Sequence, residues 1–229
     1  MKLCPKCGKQ YLDDANFCPV DAARLTIPPP MTASADPVAS RFTQRERVGG
    51  ATTGEVWRAD DAESKSEVAL KLVSGQVSLL SSVAPRIDRE LKQMERVVAP
   101  GIARVVGSGR RGDGVWLAME WVRDAQSLAN VLRAQGPMPA ADAGRLVAAV
   151  GEALIEAAKV GVVHRDLASK NILMSAAGPK LINFVIPAPT NERVPGVPEF
   201  VAPEAIEGKP LDQRSNIYSL GAILYHCVT

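Results

Sequence analysis

The hydrophobic pattern of this chain changes near residue 123 from one typical of strands to one typical of helices. Before that point, short β-branched and apolar runs such as Ser66–Val73 are separated by glycine-containing turns, as in antiparallel strands. After it, residues 142–160 and 212–229 carry long apolar patterns with the spacing of helices. The sequence therefore predicts an α+β fold, with strands mainly in the first half and helices mainly in the second.

One helix is predicted inside the strand-rich half, over residues 83–98. Its apolar side chains recur every three or four residues, which places them on one face of a helix. We expect this face to be buried in the core. It consists of Ile87, Leu91, Met94 and Val98.

Composition and charge are those of an ordinary globular protein. The chain has 229 residues, of which 46% are hydrophobic and 23% charged, as in typical soluble domains. A formal net charge of +2 gives no electrostatic reason to expect binding to nucleic acid or to an anionic membrane. No apolar run of about 18 residues is present, and the N-terminus lacks the apolar run of a secretory signal. We therefore expect a cytoplasmic protein.

Three of the four cysteines lie within the first 18 residues. The spacing C-x2-C-x10-C-x2-D can present three thiolates and one carboxylate tetrahedrally to Zn²⁺. A degenerate knuckle without metal is the alternative. The stretch resembles small zinc-ribbon modules, which implies a structural or partner-binding role. The predicted ligands are Cys4, Cys7, Cys18 and Asp21.

Residues 26–40 are rich in Pro, Ala and Ser, which favours an extended spacer. The predicted organisation is a zinc-ribbon-like module over residues 1–25, this spacer, and a larger domain over residues 41–229. Cys227 lies in an apolar stretch of that domain, where we expect it to be a small buried hydrophobe.

Four motifs in the larger domain occur in a characteristic order. They are VGGATTGEV at 48–56, VALK at 68–71, HRDLASKN at 164–171 and APE at 202–204. Together they resemble the protein kinase family over about residues 41–229. The resemblance implies a bilobal fold, with a β-rich N-lobe over 41–119 and a helical C-lobe over 123–229. That C-lobe is expected to be incomplete, because the family continues beyond the apolar helix in which this sequence ends.

The resemblance implies a nucleotide cleft between the lobes. Glycines in the first motif, Gly49 and Gly54, let backbone amides approach phosphates. Lys71 would pair with the α- and β-phosphates, held by Glu90 of the predicted helix. We favour Glu90 over Glu95, because Met94 then lies one turn later on the core face.

The adenine would lie between apolar side chains from both lobes, with Met119 guarding the back pocket and the backbone of Glu120 and Val122 bonding the base. The alternative is that these apolar residues are simply core. The side chains expected above and below the base are Val48, Val56, Ala69 and Leu173.

The metal-binding triad of the family is altered. The expected Asp is Asn183, followed by Phe184 and Val185. Mg²⁺ prefers charged oxygen ligands, whereas Asn183 and the second expected ligand, Asn171, are neutral. The sequence therefore makes Mg²⁺ binding doubtful, although Asp166 remains to orient a substrate hydroxyl.

Further departures surround the same site. The middle glycine of the first motif is Ala51, and the lysine usual two residues after Asp166 is Ala168, with Lys170 as a possible substitute. A hydroxyl and an aspartate expected later are Val197 and Asn216.

Two residues of the HRD motif have expected roles away from the phosphates. We expect His164 to pack rather than carry protons. Arg165 should lie beside the activation segment, whose one candidate phosphorylation site is Thr190.

These features predict a pseudokinase that acts on other signalling proteins and is compatible with ATP binding, because Lys71, Glu90 and Asp166 survive. Two alternatives remain. One is an active serine/threonine kinase in which Asn171 and Asn183 bind Mg²⁺, with Asp166, Lys71 and Asn171 as catalytic residues. The other is an empty, purely structural cleft.

Overall fold

The computed structural model describes residues 2–3, 10–11, 15–20, 22–25, 36–51, 54–73, 84–111, 114–184 and 197–229. The chain divides into two compact units, Met1–Ser40 and Arg41–Thr229. Most of the expected spacer, residues 26–35, lies outside the described residues. Among the helices that the structure describes, none has the length and apolar character needed to cross a membrane.

The first unit contains a small antiparallel ribbon and a tight turn. Strands β1 (Lys2–Leu3) and β2 (Gln10–Tyr11) pair antiparallel. The Cys18 N–H donates to the Ala23 carbonyl at 2.8 Å, and Cys18 packs with Leu25 in a small buried cluster. The other three expected zinc ligands, Cys4, Cys7 and Asp21, lie outside the described residues, so the zinc site stays a prediction. Helix α1 (Pro37–Arg41) ends where the second unit begins.

The second unit begins with a five-stranded antiparallel sheet. The strand order is β3-β4-β5-β7-β6, and helix α2 (Ala84–Glu95) packs against β6. Glycine-containing turns and apolar or β-branched runs predict four of these strands, whereas β6 is not among the predicted ones. Their bounds are β3 (Phe42–Ala51), β4 (Gly54–Asp61), β5 (Ser66–Val73), β6 (Val105–Arg111) and β7 (Gly114–Glu120).

Two of the four residues of the expected face on and after helix α2 are shown to be buried. Leu91 and Met94 are buried, whereas Val98 is 70% exposed, so the prediction for Val98 is wrong. The helix ends at Glu95, and beyond that residue helical spacing no longer decides which side chains face inward. Val97 is buried in place of Val98, and the side chain of Ile87 lies outside the described set.

An ion pair fixes the start of the sheet. Arg41 donates from Nε and Nη2 to the two oxygens of Asp61, at 2.8 and 2.7 Å. Asp61 is 1% exposed and also accepts from the Glu63 N–H and the Ser64 hydroxyl. These donors lower the pKa of Asp61 to about 2, the Arg41 bond contributing most. The guanidinium lies 4.9 Å from the Phe42 ring centroid.

The helical half contains a three-stranded sheet in the order β10-β9-β8. Ser127 caps α3 by accepting from the Asn130 N–H at 3.2 Å, and the left-handed Gly136 ends that helix. Short 3-10 turns occupy Ser169–Asn171 and Pro198–Phe200. The remaining bounds are β8 (Gln126–Ser127), α3 (Leu128–Gln135), α4 (Ala140–Lys159), β9 (Ile172–Ser175), β10 (Gly178–Leu181), α5 (Pro203–Ile206) and α6 (Gln213–Val228).

Helices α4 and α6 pack together and form the centre of this half. Asp212 caps α6 by accepting from the Arg214 N–H at 2.8 Å. Ile223 and Cys227 of α6 are fully buried, and burial raises the pKa of the Cys227 thiol. Cys227 is therefore a small core residue, as predicted. The buried face of α4 consists of Ala143, Leu146, Val150, Ala153, Leu154 and Ala157.

We expect Ile223→Ala to lower the free energy of unfolding by about 3 kcal/mol, because truncating a fully buried side chain leaves a cavity. Ile217→Ala, on the same helix but at a side chain that is 65% exposed, should change it by less than about 0.5 kcal/mol. Urea unfolding followed by circular dichroism measures both. Equal losses in the two variants would contradict the burial of α6 described here.

Candidate functional site

Three segments from the two halves of the second unit meet at one cleft. Lys71 comes from β5, Asp166 and Asn171 from the loop after α4, and Asn183 from the chain just beyond β10. The β9–β10 hairpin brings the last two segments together, because the Ile182 N–H donates to the Asn171 carbonyl at 3.0 Å. Asn183 has a left-handed backbone (φ 61°), a conformation that asparagine tolerates better than most residues. The fold therefore gathers the predicted polar residues at one place.

These four residues form a continuous chain of hydrogen bonds, which we call the amide relay. Lys71 Nζ donates to Asn183 Oδ1 at 3.3 Å. Asn183 Nδ2 donates to Asn171 Oδ1 at 3.0 Å. Asn171 Nδ2 then donates to Asp166, at 3.0 Å to Oδ2 and 2.7 Å to the backbone carbonyl.

Chemistry at the two ends of the amide relay fixes the orientation of both amides. An ammonium group can only donate and an ionised carboxylate can only accept. Lys71 therefore requires the oxygen of Asn183, and Asp166 requires the NH2 group of Asn171. Asn183 must then turn its own NH2 group toward Asn171. An aspartate at position 183 could not make this last bond, because it has no N–H.

The contacts within the amide relay determine whether these residues can bind Mg²⁺. Both candidate ligand oxygens, Oδ1 of Asn171 and of Asn183, accept hydrogen bonds within the protein. Mg²⁺ dehydrates reluctantly and is usually held through carboxylates. The carboxylate of Asp166 lies 3.3 Å from the Lys170 ammonium. These residues do not fit a Mg²⁺ site in this arrangement.

Glu90 differs from its expected role. Its carboxylate accepts from both Nη atoms of Arg165, at 2.7 and 3.3 Å. Between the described side chains of Lys71 and Glu90 there is no ion pair, so the structure does not show the predicted pairing. The fork of an arginine suits a carboxylate better than an ammonium does, and α2 presents Glu90 to that fork. The activation segment expected beside Arg165 includes Thr190 and lies largely outside the described residues.

The electrostatic environment of Lys71 follows from this arrangement. Burial lowers the pKa of Lys71, with Lys170 acting in the same direction and Asp166 opposing it. Asp166 is therefore the carboxylate that most affects the Lys71 ammonium in this conformation, rather than Glu90.

The residues expected around the adenine lie on both sides of the cleft. Ala69 and Met119 are cross-strand neighbours on β5 and β7, and Met119 is buried in the core whereas Ala69 packs against that core. Val48 is 43% exposed. Val56 lies opposite Gly49 on β4, and Leu173 lies on β9.

The segment that joins the two halves of the second unit contains Glu120 and Val122, and a salt bridge holds it in place. Glu120 accepts from Lys180 of β10, whose Nζ lies 2.8 Å from Oε1. The Glu120 N–H donates to the Arg104 carbonyl at 2.8 Å, so that N–H is already committed within the protein. Val122 follows two residues later and is half-buried. No local sequence pattern indicates this tertiary pair, because its partners are 60 residues apart.

The two glycines of the first motif have different surroundings. A Cβ at Gly54 would lie 2.4 Å from the Leu72 carbonyl oxygen, so β4 can approach β5 only with glycine there. A Cβ at Gly49 would make an ordinary contact with Val56 at 3.8 Å. Gly54 therefore has a structural role that the motif alone did not reveal. The side chain of Ala51 lies outside the described set.

His164 packs, as predicted. Its side chain is fully buried, its Nε2 lies 3.0 Å from the Ile182 carbonyl, and its ring centroid lies 4.5 Å from that of Phe184. Burial lowers the pKa of His164 to about 4, so the ring is neutral near pH 7.

Two other residues that differ from the family pattern make contacts within the helical half. Asn216 is buried and donates to Gln213 Oε1 within α6 at 2.8 Å. Val197 packs against the main core. Val185, the last residue of the altered triad, lies outside the described residues.

The comparisons with known proteins agree with this geometry. Residues 42–229 match the family description "Protein kinase domain", and residues 3–20 match "zinc-ribbon domain". The second unit has the bilobal kinase-like fold. The chain belongs to the protein kinase family, with a zinc-ribbon match at its N-terminus.

Curated relatives are bacterial serine/threonine-protein kinases. PkaA of Streptomyces coelicolor is 32% identical over 84% of this chain, and pkn2 of Myxococcus xanthus is 30% identical over 82%. The chain covers only 39% and 24% of those two proteins. The kinase domain of Mycobacterium tuberculosis PknI superposes with a TM-score of 0.70 at 25% identity, covering 82% of this chain and 74% of that one.

Acidification should destabilise the fold through His164. The unfolded imidazole takes up a proton below its ordinary pKa of 6.5, whereas the folded one resists protonation down to about 4. The free energy of unfolding should therefore fall by up to about 3 kcal/mol as the pH drops through this window. Urea unfolding across the window measures the slope, which His164→Phe should flatten.

Asp61→Asn is the control for this prediction. The Asp61 contribution is lost only as the pH falls from 3.8 toward about 2, below the His164 window. The control should therefore keep the slope of the parent protein between pH 6.5 and 4. The same slope in the parent and in His164→Phe would refute the assignment.

Proposed function

We propose that this chain is a pseudokinase, a kinase-fold signalling module whose cleft accepts ATP but transfers its γ-phosphate poorly or not at all. The observation that carries the proposal is the hydrogen bond from Asn183 Nδ2 to Asn171 Oδ1. This bond joins the two side chains that correspond to the metal-binding residues of the family.

Charge develops on the phosphoryl group as it is transferred, and this charge has to be stabilised. Catalysis of this transfer consists almost entirely of positioning and of electrostatic stabilisation, in which metal ions take a large part. Each loss of about 1.4 kcal/mol of transition-state stabilisation slows the reaction tenfold. A cleft that holds its amide oxygens in internal bonds therefore loses several powers of ten in rate.

Nucleotide binding is supported by what the cleft keeps. Lys71 lies at the cleft, and Ala69 and Met119 are positioned together by strand pairing. This strand pairing does not depend on the altered triad. A cleft with a half-buried cation and an apolar wall suits an adenine nucleotide.

An active serine/threonine kinase is the second candidate. It is favoured by Asp166, which Asn171 and Lys170 hold in place, and by the likeness to bacterial serine/threonine-protein kinases. In that case Asp166 would orient the substrate hydroxyl, and the amide relay would have to open before Asn171 and Asn183 could bind Mg²⁺.

Phosphotransfer separates the two candidates. We expect the full chain, given radiolabelled ATP with Mg²⁺, to label itself and a generic basic protein no more than Asp166→Asn does. The reason is that the amide relay withholds both candidate metal ligands. Incorporation in the parent protein that disappears in Asp166→Asn would establish the active kinase instead.

For the first unit we propose a structural Zn²⁺ bound by Cys4, Cys7, Cys18 and Asp21. The match to a zinc-ribbon domain over residues 3–20 supports this site, and the match ends just before Asp21. The unit would serve in docking or regulation, and we propose a cytoplasmic module whose partners are other signalling proteins rather than nucleic acid.

Metal analysis tests the zinc site. The purified parent chain should contain about one zinc ion per molecule, and Cys4→Ser should lose it, because thiolates supply most of the binding energy at such sites. Cys227→Ser makes the same chemical change in α6, outside the first unit, and should keep the metal. A parent protein without zinc would end this proposal.

A further inference from the structure

The floor of the cleft carries an excess of positive charge. Lys71 and Lys170 both act on a single carboxylate, that of Asp166. The carboxylate of Glu90 is taken up by Arg165, so that pair is neutral. Two ammonium groups and one carboxylate leave one net positive charge among the described residues of the floor. Such a floor repels a divalent cation and attracts an anion.

Asn183 adds a hydrogen-bond donor to the same place. Its NH2 group contacts Asn171 Oδ1 and could donate instead to a phosphate oxygen. A carboxylate at this position would repel phosphate unless a cation lay between them. The 3.3 Å bond between Lys71 and Asn183 is the longest hydrogen bond of the amide relay, so Lys71 can exchange that neutral acceptor for a charged one at a gain.

From these charges we infer that the cleft binds ATP as the metal-free polyphosphate, with Lys71 and Lys170 as counter-charges and the Asn183 amide as a direct phosphate donor. This inference rests on the proposed nucleotide-binding function and specifies the form of its ligand. Adding Mg²⁺ reduces the negative charge of ATP, and therefore weakens its attraction to this floor.

Lys170 has the geometry that this role needs. Its side chain is 46% exposed, and its Nζ lies 3.3 Å from Asp166 Oδ2. The ammonium is therefore held at the cleft by a partly exposed ion pair, which contributes little to stability. Replacing Lys170 should consequently affect ligand binding more than folding.

The test is a calorimetric titration of the full chain with ATP, in EDTA and in Mg²⁺. We expect the affinity in EDTA to equal or exceed that in Mg²⁺. Lys170→Met should weaken ATP binding in EDTA by at least about fivefold, whereas adenosine, which has no phosphate, should bind the parent and the variant alike. Lys159→Met is the matched control, because Lys159 pairs with Glu156 on the exposed surface of α4.

Asn183→Asp tests the amide directly. Removing the N–H and adding a negative charge should weaken ATP binding in EDTA by about tenfold, and Mg²⁺ should restore it. Circular dichroism establishes whether this variant folds; if it does not, Lys170→Met still decides the question.

Each outcome has a separate meaning. Binding by the parent protein only in the presence of Mg²⁺ would overturn the metal-free inference and leave nucleotide binding intact. No binding of ATP in either condition would overturn both and leave a structural cleft. An unchanged affinity of Lys170→Met for ATP in EDTA would also overturn the inference, because the Lys170 ammonium would then contribute nothing to ATP binding.

Discussion

The hydrogen bond between the side chains of Asn183 and Asn171 is the contact on which the site depends. It joins the segment after β10 to the loop after α4, and through Lys71 and Asp166 it connects both halves of the kinase domain. Low-dielectric surroundings make unpaired polar groups costly, and the amide relay pairs them in series. An aspartate at position 183 would place a second carboxylate in this cleft, and such a site needs a cation to be stable. With asparagine, the protein supplies the whole arrangement itself.

Three separate features set the charge in the cleft. Arg165 neutralises Glu90, so α2 contributes no carboxylate to Lys71. Asn183 contributes none either. Among the described side chains, Lys170 forms an ion pair with Asp166. These three features act in the same direction. Together they give the cleft floor a net positive charge, which suits an anion better than a metal ion.

Sequence patterns were sufficient for the change from strands to helices and for the kinase-like fold, because hydrophobic spacing and motif order are local properties. They failed where tertiary packing determines which side chains are buried or paired. Val98 continues the helical spacing of α2 but lies beyond its end. The pairing of Glu90 with Arg165 depends on how α2 lies against the loop after α4, which no local pattern contains. The substitution at Asn183 was visible as a lost charge, but the donor that it adds became apparent only beside Asn171.

Support for the amide relay comes from the core rather than from a ligand. The His164 ring, neutral and fully buried, bonds the Ile182 carbonyl directly before Asn183 and packs on Phe184 directly after it. The backbone on either side of Asn183 is therefore fixed by packing. A side chain held in this way is already oriented before any ligand arrives, which reduces the entropy lost on binding. A ligand, whether a polyphosphate or a metal ion, therefore has to displace only the side-chain partners of these amides and not the backbone that carries them.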